Sequence, residues 1–211
     1  MSPTSSRARV AILISGRGSN MVSLLDAMAS DEAPAEPALV LSNKGAARGL
    51  ALAEARGVPT AVVDHKAYPN RQSFEIEIHA RLLSAKVEVV CLAGFMRVLS
   101  PWLVTKWSGR MLNIHPSLLP SFPGLDTHAR ALAAGVKLHG ATVHLVSEAV
   151  DDGPILGQAA VPVLPGDDED LLAARVLAVE HALYPLCLRA HLEGRSTAAE
   201  PGAKLFNPAR R

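Results

Sequence analysis

The chain has 211 residues, of which 49% are hydrophobic and 19% charged, and its formal net charge is +1. This length fits one domain, and the composition provides for a sizeable apolar core and excludes an intrinsically disordered chain. A net charge near zero without a basic run excludes the electrostatic footprint of a nucleic-acid or anionic-membrane binder, so small molecules are the expected partners.

The cysteines and the apolar runs indicate a cytoplasmic protein. Cys91 and Cys187 lie in separate apolar runs without C-x-x-C spacing, which predicts reduced thiols in the core. The first apolar run, residues 10–14, is shorter than the core of a signal peptide and leads into a glycine loop. No stretch approaches the roughly 18 apolar residues that cross a bilayer, so we expect no membrane segment.

The first half of the chain alternates short apolar strands with helical patterns. We predict strands at 9–14, 38–41, 60–63 and 87–93, and helices at 21–28, 46–56 and 74–82. Near-continuous apolar strands that alternate with helices form a parallel sheet covered on both faces. This half is therefore predicted to be a doubly wound, Rossmann-like α/β unit.

A glycine loop, Ser15-Gly-Arg-Gly-Ser-Asn20, joins the first strand to the first helix. Its glycines permit a tight turn, while Ser19 and Asn20 are suited to cap the helix and direct N–H groups at an anion. Met21 occupies the third-glycine position of a dinucleotide fingerprint, and Asn43 replaces the acid that binds ribose. The loop favours a phosphate monoester site; the alternative is a βα turn with a capped helix.

An apolar segment, Leu92-Ala-Gly-Phe-Met-Arg-Val-Leu99, follows the fourth strand, at the edge where open α/β sheets bind ligands. Its apolar side chains are suited to line a slot for a flat ring, with Arg97 at the rim. The alternative is a buried connection. The apolar side chains in question are Phe95, Met96, Val98 and Leu99.

Two polar side chains end the next predicted strand, in Asn113-Ile-His-Pro-Ser-Leu-Leu-Pro120. Strand alternation places Asn113 and His115 on one face, and the prolines stop the ladder because they lack an N–H group. An amide beside an imidazole at an open strand end suits an oxyanion donor next to a proton carrier. The alternative is a strand end with a capping Asn and a satisfied histidine.

The second half of the chain changes pattern. We predict a short helix at 129–134, strands at 140–146 and 155–163, and a long helix from the acids at 167–170 to Gly194. Only eight residues separate the two strands, too few for a helical crossover, so they should pair antiparallel in a mixed sheet of about seven strands. The long helix carries an apolar stripe of Leu172, Val176, Val179, Leu183 and Leu186. One domain is expected over 1–194, with a polar tail over 195–211.

Several further polar residues are open to more than one interpretation. The turn 147–154 offers Asp151 or Asp152 as a carboxylate that would hold His115 and favour its charged form. Glu180 lies on the helical stripe, so it either reaches a polar partner or lies at the stripe's edge. Three further histidines lack a recognised ligand spacing, so we expect no metal and treat them as loop or supporting residues. They are His128, His139 and His144.

The order of these motifs closely resembles the phosphoribosylglycinamide formyltransferases, folate-dependent enzymes of purine synthesis. The resemblance runs from about residue 9 to 194. The motifs are Gly-Arg-Gly-Ser-Asn at 16–20, Ala-Gly-Phe-Met-Arg-Val-Leu at 93–99, Asn-Ile-His-Pro-Ser-Leu-Leu-Pro at 113–120, His-Gly-Ala-Thr-Val-His at 139–144 and Asp-Asp-Gly-Pro-Ile at 151–155. It implies formyl transfer from 10-formyltetrahydrofolate to the amine of 5-phosphoribosylglycinamide through a tetrahedral intermediate, without a metal.

The resemblance also implies a role for individual residues. Asn113, His115 and Asp151 match the catalytic residues. The ribonucleotide would be bound by Gly18, Ser19, Asn20 and Glu180, and Arg71 would meet the glutamate end of the folate. The remaining folate-binding residues would be Met96, Arg97, Val98, Leu99, Asn113, Ser147, Glu148, Ala149, Val150 and Asp151.

Two positions depart from the family pattern. The family usually shows Asp-Gly-Gly-Pro where this chain has Asp151-Asp152-Gly153-Pro154, and the order favours Asp151 as the catalytic acid. Asp126 stands where some relatives carry histidine, so no role is transferred to it.

Related activities are expected to differ in length or in residues. A methionyl-tRNA formyltransferase would need a further C-terminal module, and a formyltetrahydrofolate deformylase a regulatory domain before the first strand. Transfer to an amino sugar nucleotide stays open because pocket shape is not visible in sequence. A nicotinamide dehydrogenase is disfavoured by the missing ribose-binding acid, and a non-catalytic nucleotide-binding module is the remaining alternative. We expect a monomer or homodimer.

Overall fold

Seven strands and six helices make up the computed structural model, which describes residues 7–194. The strands are β1 (Ala8–Ile14), β2 (Ala35–Ser42), β3 (Thr60–Val62), β4 (Val89–Leu92), β5 (Met111–His115), β6 (Leu138–Leu145) and β7 (Ile155–Pro162). The helices are α1 (Ser19–Met28), α2 (Arg48–Glu54), α3 (Arg71–Ser84), α4 (Pro101–Lys106), α5 (Thr127–Ala133) and α6 (Glu169–Leu192).

All seven strands join one sheet in the spatial order β3-β2-β1-β4-β5-β6-β7. The pairs from β3 to β5 are parallel, whereas β5–β6 and β6–β7 are antiparallel. The predicted mixed sheet of about seven strands is therefore confirmed. The chain leaves the β1–β2–β3 side and returns to place β4 on the other side of β1. Ligands of open α/β sheets bind at the carboxyl ends of the strands beside such a reversal.

Two apolar clusters cover the two faces of the sheet. Adjacent residues of β1 belong to clusters on opposite faces of the sheet. Ile12 is in the same cluster as Val176 of α6, and Leu13 is in the same cluster as Ile78 of α3. This division follows from strand alternation, in which successive side chains point to opposite faces. The predicted doubly wound arrangement is confirmed, and both cysteines are free and buried as expected.

The long helix α6 differs in one position from its predicted stripe. Leu172, Val176, Val179 and Leu183 are buried, but Leu186 is 53% exposed, so its inclusion in the packed stripe was wrong. Tyr184 is buried instead, and its hydroxyl lies 3.1 Å from the carbonyl oxygen of Leu92 and 3.0 Å from that of Leu112. These two residues lie on β4 and β5, so one side chain ties the helix to the middle of the sheet.

The helix α6 is also long and apolar enough to cross a membrane by length and composition, with a mean hydropathy of 1.5 over an 18-residue window. On that criterion the expectation that no segment would qualify was wrong. Core helices meet the same criterion, and α6 packs against β6, β7 and α1. Its apolar character is accounted for by this packing.

One short helix was not predicted. The helix α4 has six residues with Pro101 in its first turn, a position that proline favours because the first N–H groups of a helix have no internal partner. Its cap residue, Ser100, donates its backbone N–H to Glu75 of α3 at 2.8 Å. A helix this short carries too few residues for a periodic apolar pattern, and its start is fixed by a side chain 25 positions away.

Candidate active site

A cavity of about 690 Å³ opens at the carboxyl ends of β4 and β5. Three loop segments surround it: residues 94–99 after β4, 124–128 before and at the start of α5, and 147–151 between β6 and β7. The side chains of Asn113 and His115 lie at its floor, where β5 ends. The location is the one expected for a ligand site in this class of sheet.

The imidazole of His115 lies between two acceptors. Its Nε2 is 3.0 Å from the carbonyl oxygen of Phe122, so this nitrogen donates, and its Nδ1 is 3.4 Å from Oδ2 of Asp151. The two ring nitrogens are thus held by groups from two different loops, one on each side of the ring. A substrate oxygen can receive a hydrogen bond from His115 only in exchange for one of these two contacts.

The carboxylate that faces His115 belongs to Asp151. Its Oδ2 also accepts the backbone N–H of Gly124 at 2.8 Å, and the residue has a left-handed backbone with φ of 54°. Asp152 is exposed and does not line the cavity. The order of the sequence favoured Asp151, and the structure places that residue, not its neighbour, beside the imidazole.

A buried histidine of β6 contacts the same group of side chains. His144 is paired with Asn113 across the antiparallel β5–β6 ladder, and its Nε2 lies 3.2 Å from Nδ2 of Asn113. The sequence analysis treated His144 only as a loop or supporting residue. The signal that places it is strand register, because it becomes a neighbour of Asn113 only once β5 and β6 are paired.

Two further histidines that the sequence analysis singled out, His128 and His139, form an edge-to-face pair. Their ring centroids are 5.3 Å apart. Burial is the main cause that lowers the pKa of His139 to about 4, and burial likewise lowers the pKa of His128. Both rings are therefore neutral near pH 7. Among residues 7–194, no group of three or more His, Cys, Asp or Glu side chains is arranged to hold a metal ion.

The glycine loop provides a turn that requires glycine. Gly18 has φ of 78°, and a Cβ atom there would lie 2.8 Å from Cα of Gly49. The expectation that Ser19 and Asn20 cap α1 was wrong: Gly18 is the cap residue, both polar residues lie inside the first turn, and no side chain caps the helix. No capping side chain therefore engages the N–H groups of the first turn. An anion site at a helix start requires that these groups are available to the ligand.

Asn20 instead contacts the far helix. Its amide Nδ2 donates to Oε2 of Glu180 at 2.7 Å, so Glu180 reaches a polar partner and is 6% exposed. Burial raises the pKa of Glu180, and the hydrogen bond from Asn20 opposes that shift. Both side chains line the cavity, whereas Gly18 and Ser19 do not.

Exposed apolar side chains also border the cavity. Met96, Val98 and Val150 line it while remaining 60%, 57% and 56% exposed. Large apolar side chains left in contact with water around a cavity mark a ligand-binding surface. The segment 94–99 is therefore only partly a buried connection, since Phe95 and Leu99 are buried.

The predicted folate residues are not all brought together. Arg97, Ser147, Glu148 and Ala149 line the cavity with the apolar side chains above. Arg71, the first residue of α3, is exposed and does not line it. Its expected contact with the glutamate end of a folate stays a prediction.

Comparison with known proteins gives one family. The sequence matches the family described as Formyl transferase over residues 8–188. A phosphoribosylglycinamide formyltransferase of Escherichia coli (strain K12) is 43% identical over 196 residues, which cover 93% of this chain and 92% of that protein. The structure of phosphoribosylglycinamide formyltransferase from Brucella melitensis is 54% identical with a TM-score of 0.86, covering 89% of this chain and 96% of that one.

Longer relatives contain a similar segment. The trifunctional purine biosynthetic protein adenosine-3 of Drosophila pseudoobscura pseudoobscura is 50% identical over 184 residues, or 86% of this chain. The chain spans 14% of that protein's length and 19% of the length of its human counterpart.

Proposed function

The chain belongs to the formyl transferase family, and from that membership we propose that it transfers the formyl group of 10-formyltetrahydrofolate to the amine of 5-phosphoribosylglycinamide. Relatives of matching length support the substrates, because the similar proteins from Escherichia coli and Haemophilus influenzae are phosphoribosylglycinamide formyltransferases. This step belongs to purine biosynthesis, and the donor is a cosubstrate.

One observation carries the proposal. The amide of Asn113, the imidazole of His115 and the carboxylate of Asp151 meet at a single cavity, although Asp151 comes from a turn 36 positions beyond His115. An amide donor, an imidazole and a carboxylate are the groups needed to stabilise a developing oxyanion and to move a proton.

The proposed reaction is a direct transfer of the formyl group between two nitrogen atoms. The substrate amine nitrogen forms a bond to the formyl carbon, the carbon–nitrogen bond to the folate then breaks, and one proton passes from the amine to the leaving folate nitrogen. Asn113 donates a hydrogen bond to the oxyanion of the tetrahedral intermediate, joined by His115 when it exchanges its contact with Phe122. Asp151 orients the imidazole through its contact with Nδ1.

The two substrates are assigned to different groups of residues around the cavity. The start of α1, with its cap residue Gly18 and with Ser19 and Asn20, takes the phosphate and ribose of the ribonucleotide. Of these three only Asn20 lines the cavity, and Glu180 takes part through its contact with Asn20. The apolar border of Met96, Val98 and Val150 takes the pterin ring. The remaining folate contacts are assigned to Arg71, Arg97, Leu99, Ser147, Glu148 and Ala149.

The setting of the reaction is part of the proposal. Residues 1–194 act as one formyltransferase domain; the predicted polar tail, 195–211, lies outside the described residues. The protein acts in the cytoplasm as a monomer or homodimer on small molecules, without a metal, nucleic acid or membrane.

The test is a turnover assay. The protein is mixed with 10-formyltetrahydrofolate and phosphoribosylglycinamide, and folate absorbance is followed; equimolar consumption of both is expected. Asn113→Ala and His115→Ala should each reduce kcat on the order of 100- to 1000-fold, the cost of losing one oxyanion donor. His191→Ala, near the end of α6 and outside the cavity, is the matched control. Binding of the ribonucleotide without turnover by the wild-type protein would show a non-catalytic module.

A further inference from the structure

The side chain of His144 is enclosed beside the proposed catalytic amide. It is 2% exposed and lies directly opposite Asn113 in the β5–β6 ladder. Side chains opposite one another on neighbouring antiparallel strands share a face of the sheet and are within contact distance. Here the contact joins Nε2 of the ring to Nδ2 of the amide at 3.2 Å.

The second ring nitrogen fixes the tautomer of His144. Its Nδ1 lies 3.0 Å from the carbonyl oxygen of Leu145. A carbonyl oxygen only accepts hydrogen bonds, so Nδ1 carries the hydrogen. In the neutral ring Nε2 then has a lone pair, and the amide nitrogen of Asn113 is the donor.

The ring is neutral under ordinary conditions. Burial is the main cause that lowers the pKa of His144, and the positive charge of His115 acts in the same direction. The carbonyl group of Leu145 and the carboxylate of Asp151, whose Oδ1 is 3.8 Å from Nε2, oppose the shift. The lone pair on Nε2 is thus maintained near pH 7.

This geometry allows only one orientation of the amide. If the Asn113 amide turned by 180°, its carbonyl oxygen would face the lone pair on Nε2, and two acceptors would oppose each other. With Nδ2 against His144, one N–H is used and the second N–H of the same nitrogen has no partner among the described residues. Asn113 lines the cavity, where that second N–H can serve a substrate.

We propose that His144 is a positioning residue that holds the Asn113 amide with its donor, and not its acceptor, presented to the formyl oxygen of the substrate. This inference rests on the proposed function of Asn113 as an oxyanion donor. A donor that is fixed before the reaction needs no reorganisation as charge develops, which is the source of its effect on rate.

Two substitutions separate positioning from packing. His144→Leu fills the buried site but removes the acceptor, whereas His144→Gln retains a carbonyl oxygen that can accept from Asn113. We expect His144→Leu to reduce kcat on the order of 10- to 100-fold, by analogy with the loss of residues that orient metal ligands through a hydrogen bond. The KM values of both substrates should change little, and His144→Gln should recover most of the lost kcat.

A double-mutant cycle tests whether the effect passes through Asn113. If His144 acts only by orienting that amide, adding His144→Leu to Asn113→Ala should cause no further loss of kcat. Independent, multiplying losses would overturn the inference, as would wild-type kcat in His144→Leu. Full turnover in Asn113→Ala would remove the oxyanion role of Asn113 on which the inference rests. Absence of turnover by the wild-type protein would instead overturn the proposed function, so the two failures are distinguishable.

A measurement on the wild-type protein needs no activity and no variant that might misfold. In nitrogen-15 NMR of the histidine rings, His144 should show a protonated Nδ1 and an unprotonated Nε2 at pH 7. Its signals are assigned by their loss in His144→Gln. A protonated Nε2 would contradict the inference, because that nitrogen could not accept from Asn113.

Discussion

The carboxylate of Asp151 supports a prediction about charge at a single position. Its Oδ2 lies 3.4 Å from Nδ1 of His115 and accepts the N–H of Gly124. Asparagine tolerates the left-handed backbone of this position, so Asp151→Asn removes the charge with little backbone strain. We expect kcat to fall on the order of 100-fold or more, as for loss of a group that acts in proton transfer. Steady-state kinetics measures this.

The neighbouring acid provides a matched control for that substitution. Asp152→Asn makes the same chemical change one residue away, on an exposed side chain outside the cavity. It should leave kcat within about twofold of wild type, since exposed charges are screened by solvent. Equal losses in both variants would show that the charge of the turn matters and not its contact with His115.

At the scale of residues, the sequence identifies side chains but not all of their partners. Strand alternation alone places Asn113 and His115 on one face of β5, because it depends on adjacent positions. The contacts with His144 and Asp151 depend on which strands pair and on the path of a turn. The carboxylate was assigned from the order of a motif, whereas the role of His144 had no local signal.

The start of α1 gives a prediction about one structural element. Gly18 has φ of 78°, and a Cβ there would lie 2.8 Å from Cα of Gly49 in α2. Gly18→Ala should lower the free energy of unfolding by about 1–2 kcal/mol, the cost of a left-handed backbone for a residue with a Cβ. Urea denaturation measures the change, and the KM for phosphoribosylglycinamide should rise as the turn shifts.

The same loop contains the control. A Cβ at Gly16 would meet nothing within 4 Å, and this residue lacks the left-handed backbone. Gly16→Ala should therefore change the free energy of unfolding much less than Gly18→Ala. If the two variants were destabilised equally, the loss would reflect general stiffening of the loop.

Elements with a long periodic pattern are readily predicted, and short or interrupted ones are not. The four buried positions of α1 recur at helical spacing within the predicted helix 21–28. By contrast, β2 begins at Ala35, three residues earlier than expected, although Pro37 lies within it. Pro37 lies opposite Val10 of β1, and the register of the β1–β2 pairing shifts between Val10 and Ala11, an irregularity of the kind that accompanies proline in a strand.

At the scale of the whole molecule, Tyr184 tests whether the two layers of helices fold together. Its hydroxyl serves carbonyl groups of β4 and β5 from within α6. Tyr184→Phe leaves buried carbonyl groups without this partner and should lower the free energy of unfolding by about 1–3 kcal/mol. Both tryptophans, Trp107 and the partly buried Trp102, pack in the cluster on the opposite face. Tryptophan fluorescence and circular dichroism should report the same shift.

The control is Tyr68→Phe, a partly buried tyrosine that contacts the ring of Phe74. Among residues 7–194 the hydroxyl of Tyr68 has no hydrogen-bond partner. Removing this hydroxyl should therefore change the free energy of unfolding only slightly. Separate transitions for the two probes in Tyr184→Phe would show that the layers unfold independently.

Because the sheet is mixed, enzymatic activity depends on how its parallel and antiparallel portions are assembled. Asn113 and His115 end a strand that is parallel to its neighbour on one side, whereas His144 and Asp151 belong to the antiparallel hairpin on the other. Neither portion by itself holds all of the residues of the proposed reaction centre. Turnover is therefore a sensitive measure of tertiary assembly. If the hairpin were displaced by about 1 Å while the parallel part stayed native, the chain would appear folded by spectroscopy but would lose its activity.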